Sequence, residues 1–411
     1  MKLLHFGYSV NYEYFEQIAK NDKYPQYQGM NVIWRQILGF ESVLNKKIDL
    51  IGFCPAADYP KNPKVIFKKL LWNHSMKSRD FMDVMCGYIN IVVLKHLTRT
   101  ILITKELINW LNFYSYDKGD TKVVFIYSLH TPLLFANLIC KIIYGKNKFV
   151  TCLMVPDFPV YMNNNRKVSK LFSLLKSIDK KIIDYSLKYV NGVVVNTKAA
   201  SNYFQARLNI PTLVVEGMID FTSIDYSEPP NSNVFTIIYS GALNDINMLI
   251  GVINSFRSDK RVRFIITGMG DKSSIIREAA NNQPNVEFLG VVSKDQLYKI
   301  HHIANLFINF QTSSTEGSEF SFPSKVLEYM SKGRLVLTTK MQGIPDEYFN
   351  YILSTDDNDV VGAVKIINFI IEQGFEESIS KGKRIFDFTR ANKNHITQSE
   401  KIINFITTFE Q

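Results

Sequence analysis

The chain has 411 residues, of which 46% are hydrophobic and 13% aromatic, so its composition excludes a disordered or low-complexity protein. This length exceeds what one hydrophobic core usually supports, and we expect two domains of roughly 200 residues each. The formal net charge is +10, and residues 1–220, with 29 Lys and Arg against 16 Asp and Glu, carry all of the positive excess.

The first half of the chain alternates short apolar runs with helical patterns. This alternation is typical of a doubly wound α/β domain, in which helices cover a mostly parallel sheet. The predicted strands are Leu3–Phe6, Ile48–Phe53, Val123–Tyr127, Phe149–Val155, Val193–Val195 and Leu213–Val215.

Two apolar segments of the first half do not predict a leader peptide or a membrane span. The apolar run of Met1–Val10 is broken at Gly7 and Tyr8, so we predict a buried strand there. Tyr88–Leu111 is too charged to cross a bilayer, because it contains Lys95, His96, Arg99, Lys105 and Glu106.

The cysteines indicate a reducing compartment. They show neither a Cys-x-x-Cys pair nor a Cys/His cluster, which argues against a disulfide framework and a zinc site. We predict that all four are buried thiols in a cytoplasmic protein: Cys54, Cys86, Cys140 and Cys152.

Positive charge concentrates in two segments of the first half, Lys61–Arg79 and Arg166–Lys188. Apolar residues alternate with lysines in both, and in the second they recur at helical spacing. One interpretation is a face that meets an anionic membrane surface, and the other is a solvated face over a buried stripe. Nucleic acid is a weaker alternative, because no recognition motif accompanies the charge.

The second half follows a polar, proline-containing stretch, residues 225–233, which we interpret as a linker. It predicts a second α/β domain, so that the domains are residues 1–225 and 226–393, with a C-terminal helix in 394–411. Its predicted strands are Phe235–Tyr239, Arg263–Thr267, Val286–Leu289, Leu306–Asn309 and Leu335–Thr338.

Residues 320–333 predict a helix whose first turn suits an anion. We expect Ser321 to cap it and Pro323 to occupy its first position, and Ser324 and Lys325 place a hydroxyl and an ammonium at its positive end. Glu328 follows one turn later, where a carboxylate can accept hydrogen bonds from sugar hydroxyls. A phosphate beside a sugar suggests a sugar nucleotide. The alternative is an ordinary capped helix that packs its apolar residues into a core and ends at Gly333.

The segment Asn309–Tyr348, with Ser-Phe-Pro-Ser-Lys at 321–325, Glu-Tyr-Met at 328–330 and Gly333, resembles the donor-binding signature of glycosyltransferase family 4 in its bacterial exopolysaccharide and capsule branch. The resemblance implies the GT-B fold, with two Rossmann-like domains facing a central cleft and a final helix that returns to the first domain. It also implies that Glu328 binds the ribose and Ser324 and Lys325 the diphosphate. Phe320 stands where the family usually has a carboxylate, with Glu316 and Glu319 nearby.

Three loops after strands of the second domain match the order of the nucleotide-site loops in that family. They contain Gly241, Gly268, and the pair Val291 and Val292, whose backbone would contact the base. The family also tends to have an Arg and a Lys after the first loop, whereas this chain has Leu243–Asn247. We therefore predict that Lys325 stabilises the departing phosphate.

The first domain should supply the acceptor site. His130 follows a predicted strand, where the family often has a histidine near the donor sugar, although a lone histidine is more often structural. Asp157 lies in a phrase that resembles Asp-Leu-Pro-Glu-Tyr of the same branch and either contacts the acceptor or caps a turn. Gly29 stands near the position of a glycine-rich loop of relatives.

The resemblance implies a retaining glycosyltransferase of the hexosyltransferase type. The resemblance implies transfer from a nucleoside diphosphate sugar to a lipid-linked glycan of the polyprenyl diphosphate type, without a metal ion, at the inner face of the cell membrane. A nucleotide-sugar epimerase of the same fold and a non-catalytic glycan-assembly subunit are the alternatives, the second because of the missing carboxylate and the missing Arg and Lys. The sequence indicates no nucleic-acid partner.

Overall fold

The structure is a computed structural model that describes residues 1–75, 81–117, 119–156, 170–230, 232–312 and 317–410. The chain forms two compact units, one of Met1–Met218 with His395–Gln411 and the other of Ile219–Asn394. The sequence predicts the change between them at 225/226. Residues from Ile219 onward belong to the second unit, where the Ile219 backbone N–H donates to the Lys393 carbonyl at 2.9 Å.

The first unit contains an eight-stranded sheet in the order β10-β9-β8-β7-β1-β2-β5-β4, and a separate two-stranded sheet pairs β3 with β6. Neighbouring strands of the large sheet are parallel except β4 and β5. The strands are β1 (Lys2–Gly7), β2 (Asp49–Gly52), β3 (Ile66–Phe67), β4 (Leu70–Trp72), β5 (Asp83–Met85), β6 (Tyr88–Ile89), β7 (Lys122–Tyr127), β8 (Val150–Val155), β9 (Gly192–Val195) and β10 (Thr212–Val214).

The final helix packs into this first unit. Ile402 and Ile406 of the last helix are fully buried in one core cluster with Ile33 and Ile37 of the second helix. The helices of the unit are α1 (Tyr12–Ala19), α2 (Tyr27–Leu44), α3 (Val92–Phe113), α4 (Thr131–Tyr144), α5 (Lys170–Ser186), α6 (Lys198–Leu208) and, numbered in chain order, α13 (His395–Thr407).

The second unit contains a six-stranded sheet in the order β13-β12-β11-β14-β15-β16, and all of its strand pairs are parallel. The strands are β11 (Phe235–Ser240), β12 (Val262–Thr267), β13 (Val286–Gly290), β14 (Leu306–Asn309), β15 (Leu335–Thr339) and β16 (Leu353–Thr355). The helices are α7 (Asn247–Ser255), α8 (Ser273–Asn282), α9 (Lys294–His302), α10 (Ser324–Met330), α11 (Val360–Gln373) and α12 (Phe375–Asn392).

Each sheet has one point where the strand order reverses. In the second unit β11 lies between β12 and β14, and in the first unit β1 lies between β2 and β7. Ligands of open α/β sheets bind beyond the carboxyl ends of the strands at such a point. The loops that follow β11 and β14, and those that follow β1 and β7, are therefore the places to look for a site.

The predicted doubly wound α/β architecture is confirmed, and so are the buried cysteines, all four of which are free thiols. The sequence does not predict β3 to β6 and β16, because strands of two or three residues are too short to show a period of two. In the described part of the chain, no helix is both long and apolar enough to cross a membrane.

Candidate functional site

The ends of three neighbouring strands of the second unit, β11, β12 and β13, are hydrogen-bonded to one another beside the reversal point of its sheet. The backbone N–H of Gly241, after β11, donates to the Thr267 carbonyl at 3.0 Å. The N–H of Gly268, after β12, donates to the Gly290 carbonyl at 2.8 Å. The sequence-predicted glycines Gly241 and Gly268 therefore lie side by side at the carboxyl edge of the sheet.

Gly268 has the backbone geometry that requires glycine. Its φ is +131°, which side chains rarely permit, and a Cβ atom there would lie 1.8 Å from the Gly241 carbonyl oxygen. The two loops can approach this closely only because Gly268 carries no side chain. The close approach leaves backbone at the edge of the sheet, where a ligand can reach it.

Lys325 lies against the first of these loops. Its ammonium donates to the Ser240 carbonyl at the end of β11, and a Cβ at Gly241 would lie 2.9 Å from the Lys325 Cε atom. Burial lowers the pKa of Lys325, and the nearby carboxylate of Glu328 opposes that shift. The Lys325 side chain therefore places its positive charge at the carboxyl end of β11.

A buried polar network, which the sequence analysis missed, holds Ser240 in place. The Tyr329 hydroxyl accepts from the Ser240 N–H at 3.1 Å and donates to the Ser240 carbonyl at 3.0 Å. The Ser240 hydroxyl lies 3.0 Å from His301 Nε2, and burial lowers the pKa of His301 to about 3, so the ring is neutral. Tyr329 lies one helical turn after Lys325, so the two side chains share a helix face. This spacing is the one local feature of the sequence that indicates a common contact with Ser240.

Helix α10 is shorter than predicted, with seven residues from Ser324 to Met330. The expected cap at Ser321 is wrong, because Ser321 ends a short 3-10 helix (Ser318–Phe320) and Pro323 precedes the first helical residue without a side-chain hydrogen bond. Ser324 is exposed and Glu328 is half-buried on the same face, while Val326, Leu327, Tyr329 and Met330 are buried. The predicted core packing and the predicted polar face are therefore both present.

The segment Leu243–Asn247, which stands where the family tends to have an Arg and a Lys, contains a carboxylate. Asp245 accepts a hydrogen bond from the Thr312 hydroxyl, which links the loops after β11 and β14. Lys272, which the sequence analysis did not single out, donates to Asn247 Oδ1 at 3.2 Å. A second lysine thus reaches this segment from the loop after β12.

The remaining donor-site predictions lie at the surface or outside the described residues. Val291 is exposed directly after β13 and Val292 is half-buried, while Glu319 and Phe320 are half-buried in the 3-10 helix. Glu316 lies outside the described residues.

The predicted acceptor residues belong to the first unit. His130 directly precedes α4, and its ring lies 5.7 Å from that of Tyr8. Burial lowers the pKa of His130 well below 6.5, and the charges of Arg99, His96 and Lys95 lower it further. Gly29 lies in the first turn of α2, and a Cβ there would meet no atom within 4 Å, so local packing does not require glycine. Asp157 lies outside the described residues.

Comparison with known proteins agrees with this architecture. Residues 234–369 match the family Glycosyl transferases group 1. Sucrose-phosphate synthase from Thermosynechococcus elongatus is similar in structure, with a TM-score of 0.62, 11% sequence identity and 99% of both chains covered. HepE of Anabaena in complex with UDP has a TM-score of 0.60 and 12% identity over 99% of this chain and 100% of that one.

An Escherichia coli structure described as trehalose-6-phosphate bound with UDP-2-fluoro glucose also aligns, with a TM-score of 0.62, 12% identity and 99% of both chains covered. No curated protein matches the sequence. These likenesses show that the chain has the GT-B fold, and residues 234–369 carry a glycosyl transferase group 1 domain.

Proposed function

We propose that the chain is a retaining glycosyltransferase, on the basis of its match to the glycosyl transferases group 1 family and its GT-B fold. It would move a hexose-type sugar from a nucleoside diphosphate sugar to a lipid-linked glycan of the polyprenyl diphosphate type. The observation that carries the proposal is Lys325, whose ammonium contacts the Ser240 carbonyl beside Gly241 and Gly268 at the reversal point of the sheet. The complexes of HepE with UDP and of the E. coli protein with UDP-2-fluoro glucose support a sugar nucleotide as donor.

In the proposed reaction, the bond between the anomeric carbon and the diphosphate oxygen breaks, and a bond to the acceptor oxygen forms on the same face of the sugar. The proton of the acceptor hydroxyl passes to an oxygen of the leaving diphosphate. Lys325 stabilises the negative charge of that diphosphate, with Ser324 beside it, and Glu328 accepts hydrogen bonds from the ribose hydroxyls. No metal ion is needed for this step, because the lysine supplies positive charge and the protein supplies orientation.

The lipid-linked acceptor is supported by an unusual surface on α3. Val93, Leu97 and Ile101 recur every fourth residue and are 64%, 56% and 59% exposed, whereas Lys95 and Arg99 of the same helix are buried. The helix therefore exposes aliphatic side chains while it buries these two charges. Isolated exposed apolar residues are normal, but a continuous apolar helix face marks an interaction surface.

We propose that an anionic membrane surface covers this face of α3 and brings the protein to the cytoplasmic side of the cell membrane. Lys69, which is exposed, pairs with Glu106 of α3 at 2.6 Å, and Lys68 beside it in the chain is also exposed. Aliphatic insertion with flanking lysines is the combination by which peripheral proteins bind anionic lipid. The excess positive charge of residues 1–220 favours the same partner.

The activity test incubates the full chain with a panel of nucleotide sugars, beginning with UDP sugars, and a lipid extract of bacterial membranes. Transfer of labelled sugar to lipid with retained anomeric configuration supports the proposal. Release of an epimerised nucleotide sugar without transfer contradicts it in favour of an epimerase, and binding without turnover contradicts it in favour of a non-catalytic subunit.

A further inference from the structure

The inward face of α3 carries two buried cations. Lys95 is 6% and Arg99 4% exposed, one helical turn apart. A buried charge is costly unless an opposite charge or a ligand compensates it. The partners of these two side chains therefore show how much compensation the protein itself provides.

The two cations are compensated unequally. The Lys95 ammonium donates to Asp58 Oδ1 at 2.6 Å and to the Ala56 carbonyl at 2.8 Å. Arg99 donates to the Cys54 carbonyl at 3.2 Å, and its guanidinium carbon lies 4.1 Å from the centre of the Tyr88 ring. Within the described ranges no carboxylate forms an ion pair with Arg99, and its buried Nε atom has no hydrogen-bond partner.

Arg99 lies at the reversal point of the first sheet. Tyr8 directly follows β1, and its ring centre is 5.8 Å from the guanidinium carbon of Arg99. The same ring is 5.7 Å from the ring of His130, which follows β7, and His130 is in turn 5.5 Å from His96. Side chains from β1, β7 and α3 thus meet at the edge of the sheet where such folds bind ligands.

Two more polar atoms at this edge are buried without a partner. They are the Ser9 hydroxyl, two residues after β1, and His130 Nδ1. The negative charges nearby are Asp58, which pairs with Lys95, Asp22, and Asp179, which accepts a hydrogen bond from the Thr131 hydroxyl and raises the pKa of His96 more than Asp58 does. The field at His130 is positive, since Arg99, His96 and Lys95 all lower its pKa beyond the effect of burial.

We propose that Tyr8, Ser9, Lys95, His96, Arg99 and His130, which we call the α3 cationic cluster, bind a phosphate or diphosphate group carried by the acceptor. A phosphate offers several acceptor oxygens, and the cluster offers an unpartnered guanidinium N–H, a hydroxyl and two imidazoles. The inference rests on the proposed glycosyl transfer, because it assigns the cluster to the acceptor of that reaction. It adds which residues of the first unit hold the phosphate of that acceptor.

The test measures binding of inorganic pyrophosphate to the full chain by titration calorimetry at low salt. Pyrophosphate can also enter the proposed donor site, so the Arg99→Gln and Lys325→Gln variants are compared. We expect Arg99→Gln to remove one of two binding events and Lys325→Gln to remove the other. Lys105→Gln, which changes an exposed cation of the same helix, is the control and should leave both events intact.

Loss of binding only in Lys325→Gln would overturn the anion-binding role of the cluster while leaving the donor site intact. Loss only in Arg99→Gln would support the cluster and count against Lys325 in the donor site. Arg99 is buried, so His96→Gln, which alters an exposed ring, provides a variant that keeps the core. We expect it to weaken the cluster's affinity by about threefold to tenfold. Unchanged affinity in His96→Gln overturns the proposal if Arg99→Gln does not fold.

The source of the phosphate is distinguished with two further probes, polyprenyl diphosphate in neutral phosphatidylcholine vesicles and glucose 6-phosphate in solution. Arg99-dependent binding to the vesicles identifies a lipid-linked group, and Arg99-dependent binding of glucose 6-phosphate identifies a soluble sugar phosphate. Both outcomes support the cluster as a phosphate site. Binding of either probe that is equal in wild type and Arg99→Gln contradicts it.

Discussion

Lys325 and Glu328 lie on a short helix, where we propose that they bind the diphosphate and the ribose of the donor. The ammonium reaches the Ser240 carbonyl, and Glu328 lies one turn further along. We predict that Lys325→Ala and Glu328→Ala each lower kcat/KM for sugar transfer by about 100-fold or more, since each removes a charged contact to the donor. Lys340→Ala, an exposed lysine of the same unit, is the control.

The two variants should fold normally, because neither Lys325 nor Glu328 belongs to the apolar core. Circular dichroism and thermal unfolding check this. Near wild-type rates in both variants, with folding intact, would refute the assignment of the donor site.

A second residue-scale prediction concerns His74. Its Nδ1 lies 2.7 Å from Asp83 Oδ2 and its Nε2 2.8 Å from Glu41 Oε1. Burial alone would lower the pKa of His74, but hydrogen bonds to Asp83 and Glu41 outweigh it and raise the pKa to about 9. The folded state therefore holds the proton more tightly than the unfolded chain, whose histidine titrates near pH 6.5.

The stability that this proton contributes is fully present below pH 6.5 and is lost as the pH rises through about 9. We expect the difference in free energy of unfolding between wild type and His74→Gln, measured with urea, to shrink across this window. His302→Gln, an exposed histidine of the other unit, is the control. A difference that is constant or grows with pH would contradict the ion-pair geometry.

The sequence singled out Lys325, Glu328, Gly241 and Gly268 as site candidates, because each belongs to a local motif or follows a recognisable strand. It missed Tyr329 and His301 as partners of Ser240, since those contacts join residues 89 and 61 positions apart. It also could not distinguish the buried Arg99 from the exposed Lys105, because both interrupt one apolar run. Such distinctions depend on which side of α3 faces the sheet.

At the scale of elements, the loops after β11 and β12 depend on Gly268. We predict that Gly268→Ala destabilises the second unit by about 2–4 kcal/mol, because the new methyl group meets the Gly241 carbonyl and φ is unfavourable. Gly290→Ala is a matched control, since φ is +63° there and a Cβ would meet no atom within 4 Å. It should cost only about 1 kcal/mol of backbone strain. Equal losses in the two variants, measured by urea unfolding, would show that the contact with Gly241 is unimportant.

The apolar face of α3 gives a second prediction at this scale. Leu97→Ser with Ile101→Ser should reduce binding to vesicles containing phosphatidylglycerol by about tenfold or more, because two aliphatic side chains no longer enter the lipid. Val361→Ser, which changes an aliphatic residue 64% exposed in the other unit, should bind as wild type does. Flotation measures the bound fraction.

Binding in the same assay should weaken as salt is raised, since the flanking lysines act through screened charges. Equal flotation of all variants, or binding that ignores both salt and lipid charge, would exclude α3 as the membrane contact. Sequence periodicity did not identify this face, because an apolar stripe normally predicts burial and here the stripe is exposed.

At the scale of the whole molecule, the last helix completes the first unit. A Cβ at Gly39 of α2 would lie 2.1 Å from the Ser399 hydroxyl and 2.5 Å from the His395 carbonyl of α13. We therefore predict that Gly39→Ala destabilises the first unit by about 1–3 kcal/mol through overpacking. Gly29→Ala, in the same helix with open space, should raise stability by up to about 1 kcal/mol. Equal effects in thermal unfolding would contradict the close packing of α2 on α13.

Two alternating α/β patterns predicted the two doubly wound units, and the resemblance of residues 309–348 to a family signature implied the GT-B fold. The exact point where the chain changes units could not be predicted, since residues 219–225 join the second unit through contacts with distant residues, such as Ile219 with Lys393 and Phe221 with Phe386, rather than through composition. Long, periodic segments can be predicted from a single sequence, whereas contacts between distant segments depend on tertiary packing.

The return of α13 also determines when each unit can form during translation. The first unit is translated first, yet its core contains Ile402 and Ile406, so it stays incomplete until the second unit has been made. At about 5–20 residues per second, the ribosome needs on the order of 10 to 35 seconds to synthesise the second unit. Throughout that interval Ile33 and Ile37 of α2 lack their contacts with α13. A chaperone or a membrane therefore has time to bind the nascent chain.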